Sequence, residues 1–194
     1  MPTLLVLIGS TRPGRVGPSV ADWFAARVVA DGRFTVHLVD LAQRALPMLD
    51  EPVPAVLGRY TKEHTRAWSA VVDAADAIVI VTPEYNHGYP AGLKNALDYL
   101  FHEWRHKPVG FVSYGGVAAG TRAVQQLQQV VAALQMVPAP TAVRIPFVAE
   151  RFDERGLFVA SDSMERAADA MCSELGTFHE ALSPLRTVAR ASGR

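Results

Sequence analysis

Five short runs rich in aliphatic and β-branched residues punctuate the chain: TLLVLI at 3–8, FTVHLVD at 34–40, AIVIVT at 77–82, VGFVSY at 109–114 and TAVRI at 141–145. Most are apolar throughout, the pattern of strands covered on both faces. Between them the apolar positions change to a helical period. Leu93, Ala96, Leu97, Leu100, Phe101 and Trp104 recur at i, i+3, i+4, i+7, i+8 and i+11, which predicts a helix from Pro90 to Arg105. Met164, Ala167, Ala168, Met171, Leu175, Phe178 and Leu182 predict another. Strand–helix alternation along the whole chain predicts a doubly wound α/β fold: a five-stranded parallel sheet in the flavodoxin-like order 2-1-3-4-5, with helices on both faces. No repeat or linker divides the pattern, so residues 1–183 are expected to form a single domain. Residues 184–194, after Pro184, are expected to be a disordered tail.

Composition narrows the partners. Nineteen basic and nineteen acidic side chains balance, so neither nucleic acid nor a membrane is the expected partner. The apolar run at Leu4–Ile8 is too short for a signal-peptide core or a bilayer span, which together with the single Cys172 predicts a cytoplasmic location. The expected partner is a small molecule.

In a sheet of this order ligands bind beyond the carboxyl ends of the strands, near the reversal of strand order. The loops there are the least ordinary stretches of the sequence. GSTRPGRVG, residues 9–17, leaves a buried strand and enters a helix near Pro18. Its hydroxyls, its guanidiniums Arg12 and Arg15 and its glycines suit a phosphate at a helix N-terminus. The loop matches neither the G-x-x-x-x-G-K-[ST] nor the G-x-G-x-x-G pattern, which points to a mononucleotide. PEYNHGYP, residues 83–90, is bounded by prolines and carries Tyr85 and Tyr89, flat surfaces against which a planar ring could lie. Glycines 115, 116 and 120 in the third loop leave a low wall where a ligand can approach backbone amides.

GSTRPGR after the first strand, TPEYNHGYPAGLKNALDYL after the third and SYGG-x3-GTRA after the fourth resemble the NADPH-dependent FMN reductase family, which includes quinone, chromate and azo-dye reductases. The resemblance covers residues 3–182. It implies that Ser10, Arg12, Arg15 and Gly17 surround an FMN phosphate. It further implies that Pro83, Glu84, Tyr85 and Asn86 line the ring and ribityl chain, and that Ser113, Tyr114, Gly115 and Gly116 close the other side. NADPH or NADH would be the co-substrate, and a quinone, free flavin or similar small molecule the electron acceptor, in a ping-pong reaction. Because the flavin carries the chemistry, no catalytic side chain is required. A flavodoxin-type carrier or a flavin-based sensor is the alternative, although carriers are typically acidic and this chain is neutral.

HEWRH at 102–106 matches the zinc-protease pattern H-E-x-x-H. At 100° per residue the apolar stripe of the predicted helix centres at roughly 10°, His102 at roughly 180° and His106 at roughly 220°. The histidines thus face away from the core, Pro108 frays the helix end, and residues 107–149 contain no His, Asp, Glu or Cys. The protease reading is disfavoured and no metal is expected. The same helix presents a second face of Asn95, Asp98, Tyr99 and His102, and the family resemblance implies that it packs against its symmetry mate in a homodimer or tetramer. His64 is expected to pack structurally, and His87 either touches a substrate or stands exposed in its turn.

Overall fold

A computed structural model of the protein describes residues 1–191. Strands β1 (Thr3–Ile8), β2 (Thr35–Asp40), β3 (Ala77–Pro83) and β4 (Pro108–Tyr114) alternate with helices α1 (Gly17–Asp31), α2 (Leu41–Arg44), α3 (Glu63–Asp73) and α4 (Ala91–Asp98). Helix α5 (Thr121–Ala133), strands β5 (Val137–Pro138) and β6 (Val143–Ile145) and helix α6 (Asp162–Ala191) complete the chain. The sheet is parallel throughout, in the order β2-β1-β3-β4-β5, with β6 also paired to β4. This is the doubly wound order expected from the apolar runs.

Alternation along each strand divides the core into two layers. Leu4, Val6 and Ile8 point to one face with Phe24 of α1 and Met171 and Leu175 of α6. Leu5 and Leu7 point to the other, with Trp68 of α3, Leu93 and Leu97 of α4 and Leu127 of α5. Each such side chain contributes about 1.5–3 kcal/mol by leaving water, which commits a central strand to burial on both faces.

Three expectations are corrected. The fifth strand is two short pieces on the same edge of β4: Val137–Pro138 beside Pro108 and Val109, then Val143–Ile145 beside Val112–Tyr114. Pro138 and Pro140 lack the N–H that a continuous ladder needs. The helix expected over 90–105 stops at Asp98. Its last carbonyls are taken from the side: Trp68 Nε1 donates to Ala96 O at 2.8 Å and Trp104 Nε1 to Leu97 O at 3.1 Å. Two indoles thus satisfy acceptors that a longer helix would have used itself. His102–Trp104 forms one 3-10 turn, and His106 follows with φ 57°.

The third correction lies at the end of the chain, where α6 continues through Pro184 to Ala191 instead of fraying at 184. Pro184 cannot donate to Glu180 O, and the Ser183 hydroxyl donates to it instead at 3.4 Å. Arg186 then fastens the extension, donating to Asp76 O and Asp76 Oδ1 at 3.1 Å each. The rest of the expected tail, 192–194, lies outside the described residues.

Candidate functional site

The three unusual loops meet at the carboxyl edge of β1, β3 and β4. Ser10, fully buried, shares a 2.6 Å hydrogen bond with the Tyr85 hydroxyl, which ties the first loop to the second. The Arg12 guanidinium lies 5.9 Å from the centre of the Tyr85 ring. Thr82 and Pro83 pair in register with Ser113 and Tyr114, which brings the third loop alongside. Gly17 closes the circle, since a Cβ there would stand 2.8 Å from the Tyr114 hydroxyl oxygen.

Several polar groups in this cluster are left without an internal partner. Val16, the N-cap of α1, has no side-chain acceptor, so the first-turn amides of that helix keep their partial positive charge for something outside it. The Tyr114 hydroxyl lies near Ser10 but makes no well-formed hydrogen bond, and Ser113 Oγ and Arg15 Nε have none either. Burial, and then the neighbouring Tyr85, push the Tyr114 phenol well above its usual range, so it stays a neutral donor. Buried polar atoms of this kind ordinarily find a partner in a ligand or water. The set of hydroxyls, guanidinium and helix amides fits a phosphate and the polar chain attached to it.

Not every residue singled out in the sequence keeps its charged end for a ligand. Arg15 pairs with Asp40 at the end of β2, Nη2 to Oδ2 at 2.5 Å, whereas Arg12, the other guanidinium of the first loop, makes no ion pair with a carboxylate among the described residues. Glu84 is turned away from Tyr85 toward α5. Its carboxylate accepts from the backbone N–H of Arg122 at 3.2 Å and pairs with the Arg122 guanidinium. Asn86 and His87, both at positive φ, form the tip of a turn closed by reciprocal Tyr85–Gly88 backbone bonds of 2.8 and 2.9 Å. The Gly115 amide donates to Ile145 O, whereas Gly116 faces open space. A hollow of about 340 Å3 lies between the second and third loops, lined among others by Glu84, His87, Gly116 and Arg122.

Arg122 and Gln126 are the residues that sequence reasoning missed here. Arg122 stands inside the quoted GTRA stretch, but only the folded chain shows that it reaches back to Glu84 and His87.

The HEWRH segment belongs to a different place. With Arg66, Tyr60 and Arg186 it borders a recess of about 1000 Å3 at the amino ends of the strands, away from the three loops. Glu103 accepts from the Tyr60 hydroxyl at 2.9 Å and from Ser69 Oγ at 2.6 Å, and His102 Nε2 lies 2.8 Å from Val56 O. With His106 past the 3-10 turn, the two imidazoles do not share a helix face. His64 is structural: it contacts Asp50 at 2.9 Å and stacks edge-on against Tyr99. Tyr99 and Asn95, expected on an outer face, are buried and hold the preceding loop, Asn95 through Pro47 O and Leu49 N, Tyr99 through Pro47 O and Asp50.

Comparison with known proteins finds the same family that the sequence resembles. A family model described as NADPH-dependent FMN reductase matches residues 2–150. An NAD(P)H-dependent FMN reductase of Schizosaccharomyces pombe is 46% identical over 142 residues, 72% of this chain and 70% of that protein. One from Saccharomyces cerevisiae is 43% identical over 153 residues, 73% and 80% of the two chains. Among solved structures, a flavoenzyme NAD(P)H:(acceptor) oxidoreductase from Paracoccus denitrificans superposes with a TM-score of 0.74 at 22% identity, covering 94% of this chain and 99% of that one.

Proposed function

Because this chain belongs to the NADPH-dependent FMN reductase family and is an FMN- and NAD(P)H-using oxidoreductase, we propose that the three converging loops are its FMN site and that a quinone, free flavin or similar small molecule is its acceptor. FMN, when bound, supplies the two-electron transfer from nicotinamide to acceptor. The protein's part is to hold and orient it. Ser10, Arg12 and the first-turn amides of α1 at Gly17 take the phosphate, and Arg15, tied to Asp40, fixes the shape of that loop. Tyr85 and Tyr114 flank the polar chain. Pro83 and Asn86, together with the backbone of Glu84, form one wall of the ring site, and Ser113, Gly115 and Gly116 form the other.

One open ring face would serve donor and acceptor in turn, which gives ping-pong kinetics: parallel double-reciprocal lines when NADPH and acceptor are varied. The reading includes a homodimer or tetramer in the cytoplasm. Tyr99 cannot be its contact, being buried within the chain, and a monomeric mass by light scattering with FMN bound would remove the assembly from the account. Membership of an enzyme family leaves the carrier and sensor alternatives without a supporting observation.

The observation that carries the site assignment is the group of unpartnered polar atoms beside the Ser10–Tyr85 bond. Its test is a fluorescence titration of flavin-free protein with FMN. Arg12→Ala is expected to weaken binding by about 1.5–3 kcal/mol, the range for one charge-assisted phosphate contact. Unchanged affinity in that variant would move the phosphate elsewhere.

A further inference from the structure

Helix α5 begins at Gly120, which has no side chain with which to cap it. The missing acceptor comes from the second loop, 38 residues earlier, where Glu84 takes the Arg122 amide. The Glu84 side chain is only 7% exposed, so its charge is largely removed from water and needs compensation. The Arg122 guanidinium provides it. The same guanidinium donates through Nη1 to His87 Nε2 at 2.8 Å, and one helical turn further on Gln126 Nε2 donates to His87 O at 3.1 Å. Both contacts converge on a turn whose two central residues, Asn86 and His87, sit at φ 49° and 67°. Such a conformation is uncommon for residues other than glycine and persists where its surroundings hold it.

We propose that Arg122 is a positioning residue for the flavin. It locks the Tyr85–Gly88 turn onto the first two turns of α5 before the cofactor arrives, and it cancels the Glu84 charge beside the ring site. The inference rests on the site assignment made above. Preorganising the turn raises FMN affinity, because ordering it is not left to the binding step. Cancelling the charge matters more after reduction than before. The two-electron-reduced cofactor carries added negative charge, and an uncompensated carboxylate near it would disfavour that form.

The test uses Arg122→Gln and the double variant Arg122→Gln with Glu84→Gln. In the flavin-free protein, hydrogen exchange at the Tyr85 and Gly88 amides is expected to quicken in Arg122→Gln, on the order of tenfold, with FMN affinity falling by a similar factor. The midpoint potential of bound FMN is expected to move to more negative values in Arg122→Gln and to return toward the parent value in the double variant. A role limited to stability would not give that return, since the second substitution removes the Glu84 charge and adds no contact to the turn or to α5. Unchanged turn exchange, or a potential that the double variant fails to restore, overturns the proposal. The Arg12→Ala titration separates the two readings: if it weakens FMN binding while Arg122→Gln leaves exchange and potential unchanged, the site stands and Arg122 has no part in it.

Discussion

At the scale of single residues, the sequence was most legible where chemistry and backbone geometry agree. Ser10, Arg12 and Gly17 stand in a phosphate-type loop, and the folded chain brings all three to Tyr85 and Tyr114. Arg15 and Glu84 were legible as members of the loops but not in their contacts, because each pairs with a residue, Asp40 and Arg122, whose position depends on the completed fold. The glycines of the third loop separate in the same way. Gly120 sits at φ 79°, and a Cβ there would stand 2.9 Å from Tyr114 N. Gly116 has nothing within 4 Å of such a Cβ. Gly120→Ala is therefore expected to destabilise the protein by at least roughly 1–2 kcal/mol, the cost of a left-handed L-residue. Gly116→Ala should stay within about 0.5 kcal/mol of the parent. Urea denaturation of both variants checks the contrast, and equal midpoints would mean that Gly120 is not under the strain described.

Elements followed the hydrophobic period closely where their ends are set locally and departed from it where they are not. Strand positions and the order of the sheet were readable because burial on both faces leaves uninterrupted apolar runs. The end of α4 was not, since the stripe through Trp104 continues past Asp98 while two indoles remove the carbonyls that a longer helix needs. Helix starts carry a related lesson. Neither Lys62 before α3 nor Gly120 before α5 makes a side-chain cap, and each helix receives a glutamate from a distant loop instead: Glu84 for α5, Glu51 for α3. Glu51 accepts from the Thr61 and Lys62 amides and the Thr61 hydroxyl. Partial desolvation alone would raise its carboxyl, but the amide bonds outweigh that and hold it down to about 2. A depressed folded-state value means stability that is fully present above the unfolded value, about 4.3. That stability is lost as pH falls through about 2. Glu51→Gln is expected to cost about 0.5–1 kcal/mol at neutral pH, the range for a surface helix cap. It should also make the acid limb of the stability curve shallower, as thermal melts between pH 2 and 7 would register. An acid limb identical to the parent's would remove Glu51 as the cap.

For the whole molecule, the parallel sheet separates two regions of different make-up. The carboxyl edge gathers the three loops and the polar atoms left for a ligand, while the amino edge holds the HEWRH segment, the Arg186–Asp76 fastening and the larger recess. The larger recess, of about 1000 Å3, lies at the amino edge and the smaller, of about 340 Å3, at the carboxyl edge, so the proposed site is not the one that volume alone would choose. The chemistry of the lining residues and the position at the strand-order reversal are the grounds on which we propose the carboxyl edge, and the family match over residues 2–150 spans that cluster. The most direct test of the account is an anaerobic absorbance titration of the FMN-bound protein with NADPH, followed by addition of a quinone. The account predicts that the flavin band bleaches with about one equivalent of NADPH per FMN and returns when the quinone is added. A band that NADPH leaves unchanged, or that bleaches and does not recover with quinone, would contradict it.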